Sequence, residues 1–140
     1  MTSPLTILVC SESPALAREL AGAARQALSV EGRVAALVLG GAETELTGVD
    51  VCYQPSLADL TPEAGAAALA AAVAQAQPAL VLVGATKLGL QVAPRVAERN
   101  GAGYAAWATG FTVESQSGAV AARCSLYSGT ALAYYQFKPG

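Results

Sequence analysis

The sequence predicts a three-layer α/β fold built on a mainly parallel sheet, with antiparallel strands at the C-terminal end. Three observations predict it. Short apolar runs of strand length recur along the first two thirds of the chain, each followed by a longer stretch with helical spacing. The run at 79–83 passes directly into a glycine-bearing loop and then a helix. From Tyr104 onward the texture changes to β-branched and aromatic residues broken by serine and glycine. Alternating strands and helices imply crossover connections and a parallel sheet with helices on both faces, whereas a closing run of strands implies hairpins.

Residues 5–10 read as the first strand. Ser13 and Pro14 then open a helix to about Leu28, with serine as cap and proline at the first helical position, where no backbone donor is needed. Leu16, Leu20, Ala24, Ala27 and Leu28 form its expected apolar face. Residues 33–39, ending at Gly40 and Gly41, are the second strand, and 49–54 the third. Thr61, Pro62 and Glu63 cap an alanine-rich helix that ends near Gln77, with Leu69 and Val73 on its buried side. The run 79–83, bounded by Pro78 and Gly84, is apolar on both faces and is expected at the centre of the sheet. In the helix that follows, Val92, Ala93, Val96 and Ala97 face inward while Gln91, Arg95, Glu98 and Arg99 face water. Pro94 is placed in its first turn and Asn100-Gly101 at a left-handed end. In the tail, Ser115, Gln116, Ser117 and Gly118 form a turn between two strands, and Ser128-Gly129 makes another break.

At 140 residues the chain is one ordinary domain, and 54% hydrophobic against 13% charged residues is apolar enough to suggest a partner surface. Net charge is −2 with lysine and arginine scattered singly, which excludes a nucleic-acid binder. The uncharged run between Glu63 and Lys87 is mostly alanine and is interrupted by Gln75, Gln77 and Pro78, so it reads as helix, turn and strand rather than a membrane span. No secretory or transit segment is visible at the N-terminus, and a cytoplasmic location is expected. The absence of histidine removes Ser-His-acid and Cys-His catalysis and most zinc sites. Cys10, Cys52 and Cys124 are odd in number, far apart and inside expected strands, which fits structural thiols. No acid, base or activated nucleophile assembles from these residues, and Glu12 beside Ser11 reads as a surface carboxylate, so neither catalytic residues nor a metal site are assigned.

Gly84 and Gly89 are spaced as in the first half of a phosphate-cradling loop, but Leu90-Gln91 fills the place of the required Lys-Ser/Thr pair. Gly101-Ala102-Gly103 follows a helix and lacks a third glycine, so it is no dinucleotide fingerprint. What remains is Gly84, Thr86 and Gly89 as candidates for an anion or nucleotide in the loop after the fourth strand, with Cys10 and Gly40 expected along the same edge. Against this stands the plain reading that every such loop needs small residues. Trp107, Tyr134, Tyr135 and Phe137 fit either a partner-facing edge or core packing.

The segment GATKLGLQVAPRVAERNGA at 84–102 places threonine and glycine in the loop and Ala93-Pro94-Arg95-Val96-Ala97 in the helix. With ILVCSE at 7–12, ELAGAAR at 19–25, VAALVLG at 34–40, GVDVCY at 48–53 and Arg123 followed by Tyr127 and Gly129, it makes an ordered pattern. By these segments the chain resembles, across nearly its whole length, the N-terminal domain of the electron transfer flavoprotein alpha subunit, the segment at 84–102 being the strongest match. Trp107-Ala108 departs from the small residue and aspartate common before the Thr-Gly-apolar segment. The resemblance implies a Rossmann-like, adenine nucleotide alpha hydrolase-like domain. In the complete family protein, such a domain acts as a non-catalytic scaffold, supports a separate flavin domain and packs against a beta subunit. The heterodimer passes electrons from dehydrogenases to a membrane quinone reductase or another acceptor. The family's FAD is held mainly by the C-terminal domain of the alpha subunit, which is missing from these residues, so no flavin is expected in this chain alone. The family pattern continues beyond 138–140, which fits either a truncated piece or a stand-alone relative. AMP belongs to the beta subunit, whose acidic and polar loop does not match 84–89. The alternative is a small adenine-nucleotide-binding regulatory domain similar to universal stress proteins, self-associated as a homodimer.

Overall fold

A strand that is apolar on both faces needs cover from both sides, and the chain supplies it by crossing over the sheet in opposite directions. The computed structural model describes residues 5–28, 31–40, 46, 48–55, 59–114, 117–126 and 131–137. Strands β1 (Thr6–Ser11), β2 (Arg33–Val38), β3 (Val51–Tyr53) and β4 (Leu80–Val83) form a parallel sheet in the order β3-β2-β1-β4. Helix α1 (Pro14–Ala27) packs on one face with Ile7, Val9, Val34, Ala36 and Val38. Helices α2 (Pro62–Ala76) and α3 (Lys87–Arg99) pack on the other, over Leu8, Cys10, Ala35 and Leu37. Strands β5 (Ala108–Val113), β6 (Val120–Leu126) and β7 (Ala131–Phe137) form a second, antiparallel sheet in the order β5-β6-β7. Phe111 and Val113 of β5, like Leu80 and Leu82 of β4, pack against the core on the α1 face. Among the described residues no helix is long and apolar enough to cross a membrane.

The three-layer, mainly parallel architecture is as expected; four details differ. The fourth strand lies at an edge of the parallel sheet, not its centre, since β1 and β2 are the inner strands. Its apolar pattern records packing on its two faces, Val81 and Val83 toward the core under α2 and α3 and Leu80 and Leu82 toward the core under α1, and a face pattern carries no information about strand neighbours. The antiparallel strands pair only with one another, in a sheet of their own. Helix α1 packs Ala24, Leu20, Ala27 and Leu28 on the core as expected, but its fully buried stripe also takes in Ala17 and Ala21, because small residues let the helix sit close to β1 and β2. Pro94 lies mid-helix rather than in a first turn. Thr86 caps α3 well upstream of it, and Pro94 leaves the Leu90 carbonyl without its helical donor. Residues 41, 115, 116, 127–130 and 138–140, on which the second glycine of Gly40-Gly41, half of the expected turn, Tyr127, the Ser128-Gly129 break and the chain end fall, lie outside the described residues. Tyr134, Tyr135 and Phe137 belong to β7.

Arg25 ties the end of α1 to the sheet. Its Nη1 donates to the Gly32 carbonyl at 2.8 Å, and its Nη2 to the Gly48 carbonyl at 3.1 Å and to Asp50 Oδ2 at 2.6 Å. The same Asp50 oxygen accepts the Val34 N–H at 2.9 Å. These bonds, the Val34 amide first and then Arg25, hold the Asp50 carboxyl below its ordinary range. A depressed acid contributes stability above its unfolded value, near pH 4, and loses it as pH falls through the folded value. Both partners are a third or more exposed, so screening limits the gain to about 1 kcal/mol or less. Asp50→Asn is therefore expected to cost up to that amount at neutral pH and to flatten the acid limb of stability, as urea unfolding at a series of pH values would measure.

Candidate functional site

In a parallel sheet of this kind, ligands bind outside the carboxyl ends of the strands where two neighbours send their crossovers in opposite directions. Here that point lies between β1, which leads through α1 to β2, and β4, which leads into α3. The residues that follow the two strands, Glu12 and Ser13 on one side and Gly84 to Thr86 on the other, frame it.

The chain's own carboxylate sits at this mouth. Thr86 Oγ1 donates to Glu12 Oε2 at 3.0 Å, and Ser11 Oγ lies 3.4 Å from Glu12 Oε1. Thr86 Oγ1 also accepts the Gly89 N–H at 3.0 Å and so caps α3, while Ser13 Oγ caps α1 by accepting the Leu16 N–H at 3.3 Å. Ser11 Oγ accepts the Ser13 N–H at 3.0 Å, which accounts for the one buried polar residue among those described. Glu12 is half-buried and bonded across 74 positions of sequence, so the expected free surface carboxylate is instead a tie between β1 and α3. A negative charge beside a helix N-terminus complements the helix dipole, and here Glu12 provides it.

The predicted glycines serve close packing at this point. A side chain on Gly84 would meet Leu16 Cδ2 at 2.5 Å, and one on Gly89 would overlap the Gly84 carbonyl oxygen. A Cβ on Gly40 would come within 3.0 Å of the Glu12 carbonyl oxygen. The structure thus gathers Gly40, Gly84, Thr86 and Gly89 around Glu12. Cys10 stands apart: its side chain is fully buried under α2 and α3, and burial, with the Glu12 charge second, pushes its thiol up to about 12. Cys124 is buried and Cys52 half-buried, all three as free thiols. Outside the tie lies a wide, shallow depression lined by Glu12, Ser13, Pro62, Thr86, Lys87, Leu88 and Gln91. Thr86→Val removes both the cap and the donor to Glu12, with an expected cost of about 1 to 2 kcal/mol that Thr86→Ser largely restores, measurable by urea unfolding.

At the tie itself a phosphate would lie against the Glu12 carboxylate, and the Gly89 amide is already bonded to Thr86, while Lys87 lines the depression outside. Sequence reasoning missed Glu12 as the central group here. Its position directly after β1, facing the loop after β4, is a signal that becomes readable only once strand order is known.

A parallel β3-β2-β1-β4 sheet with helices on both faces defines a doubly wound α/β domain. The family model of the electron transfer flavoprotein domain matches residues 12–140, and the chain belongs to that family. Among curated proteins none matches the chain.

Proposed function

We propose that the chain acts as an alpha-type N-terminal domain of an electron transfer flavoprotein, a non-catalytic scaffold and subunit-contact module for a beta-type subunit in the cytoplasm. The family match over 12–140 supports the assignment to a flavin electron-transfer system. The observation that carries the scaffold role is the Glu12–Thr86 tie, which fills the position where a doubly wound domain would otherwise hold its ligand. On this reading the flavin is held in a separate domain and carries the electrons there, and this domain contributes surface. The test is co-expression with a beta-type subunit followed by size-exclusion chromatography with light scattering. A stable one-to-one complex is expected. Persistent free monomers at micromolar concentration, or an adenine nucleotide released on denaturing freshly purified chain, would contradict the proposal, the latter in favour of a nucleotide-binding regulatory domain.

A further inference from the structure

The loop between α3 and β5 carries features that packing within the chain does not explain. Trp107 is 58% exposed, the most of any large hydrophobic residue among those described, and Tyr104 in the same loop is 40% exposed. Trp107 also has φ +57°, a left-handed conformation that is unfavourable for a bulky side chain. Gln77, with φ +47°, shares that conformation, but there it closes the end of α2; Trp107 closes no helix. Immediately after Trp107 the β5–β6 ladder shifts register between Ala108 and Gly110, a bulge of the kind that re-aims side chains. The bulged Thr109 Oγ1 accepts from Arg123 Nε at 3.1 Å. Gly110 leaves room for the guanidinium, since a Cβ there would stand 3.3 Å from Arg123 Nη2. Arg123 is therefore held at Nε on an exposed side chain, and among the described residues no carboxylate pairs with it.

We propose that Trp107, Tyr104 and Arg123 form the docking surface for a protein partner that offers an apolar pocket to the indole and a carboxylate to the guanidinium. The proposal rests on the reading above, and the partner is the beta-type subunit. Charge complementarity selects the partner's acid, because a positioned guanidinium with no counter-ion among the described residues matches a carboxylate through its two terminal nitrogens. Tryptophan, tyrosine and arginine are also the residues in which interface energy concentrates. A strained and mostly exposed tryptophan contributes little to the free domain, so its removal separates folding from binding.

Trp107 is the chain's single tryptophan, so fluorotryptophan labelling gives one fluorine resonance that reports this surface alone. The experiment titrates the labelled full chain with the beta-type subunit and measures affinity and thermal midpoint for Trp107→Gly, Arg123→Gln and, as a control, the exposed Leu60→Ser. The expected result is a saturable shift of the resonance on binding. Trp107→Gly should bind about thirtyfold more weakly, the hot-spot threshold, with an equal or higher thermal midpoint. Arg123→Gln should bind about fivefold more weakly with a flatter salt dependence, and Leu60→Ser should match the parent. If the parent binds and Trp107→Gly binds equally well, this inference falls and the subunit reading stands; if the parent does not bind at all, both fall. A lower thermal midpoint for Trp107→Gly would make the residue a packing element and overturn the inference. So would a resonance shift driven by the chain's own concentration, which would put a second copy in the subunit's place.

Discussion

Gly89→Ala is expected to remove a large share of the domain's stability. The added methyl would overlap the Gly84 carbonyl oxygen and press on Val83 Cγ1 at 3.2 Å, so neither neighbour is the free end of a flexible side chain. Relief requires α3 to move away from β4, which breaks the Gly89 N–H bond to Thr86 and, with it, the Thr86 bond to Glu12. Losses of this kind exceed about 4 kcal/mol, a large share of the 5 to 15 kcal/mol that holds a domain folded. Gly22→Ala is the matched control. It lies in α1 with nothing within 4 Å of the new methyl, so the gain in helix propensity, about 0.5 to 1 kcal/mol, should appear unopposed. Urea unfolding of the two variants beside the parent measures both signs at once.

Leu8→Ala is expected to cost about 3 kcal/mol, within the range for deleting a buried leucine. Leu8 is fully buried on β1, opposite Ala35 of β2 and Val81 of β4, and packs with Leu37, Leu69 and Val92 beneath α2 and α3. Its neighbours on the sheet are held by two ladders and cannot collapse into the space, so most of the cavity should persist. The urea midpoint should fall with an unchanged slope; a fall of less than about 1 kcal/mol would mean that α2 and α3 settle onto the sheet more freely than their packing implies.

Much of this fold was legible because local signals agreed with it. Ser13-Pro14 and Thr61-Pro62 open α1 and α2 where capping chemistry says they should, and the four parallel strands lie where short apolar runs fall between turn residues. The edge position of β4 was not legible, since Leu80 to Val83 are covered on both faces whether or not a further strand lies beside them. Pro94 misled because its missing donor argues for a first turn, whereas α3 starts at its Thr86 cap and is carried through the proline by packing of Val92 and Val96 in the core. The site was half legible. Small residues at 40, 84 and 89 marked a point of close approach, but the group they surround, Glu12, is joined to Thr86 only by the fold. The Arg25 clamp is similar: Arg25, Gly48 and Asp50 lie in two of the short stretches that carry the family resemblance, and only the sheet brings them together.

On the proposed reading Glu12 occupies the switch point from within and leaves the domain to work through its surface. Amide chemical shifts of the uniformly labelled chain, followed while AMP is added, put this to the test. The amides of Gly84, Thr86 and Gly89 are expected to stay in place throughout. A saturable movement of these three signals, with the Thr86–Glu12 tie displaced by phosphate, would contradict it.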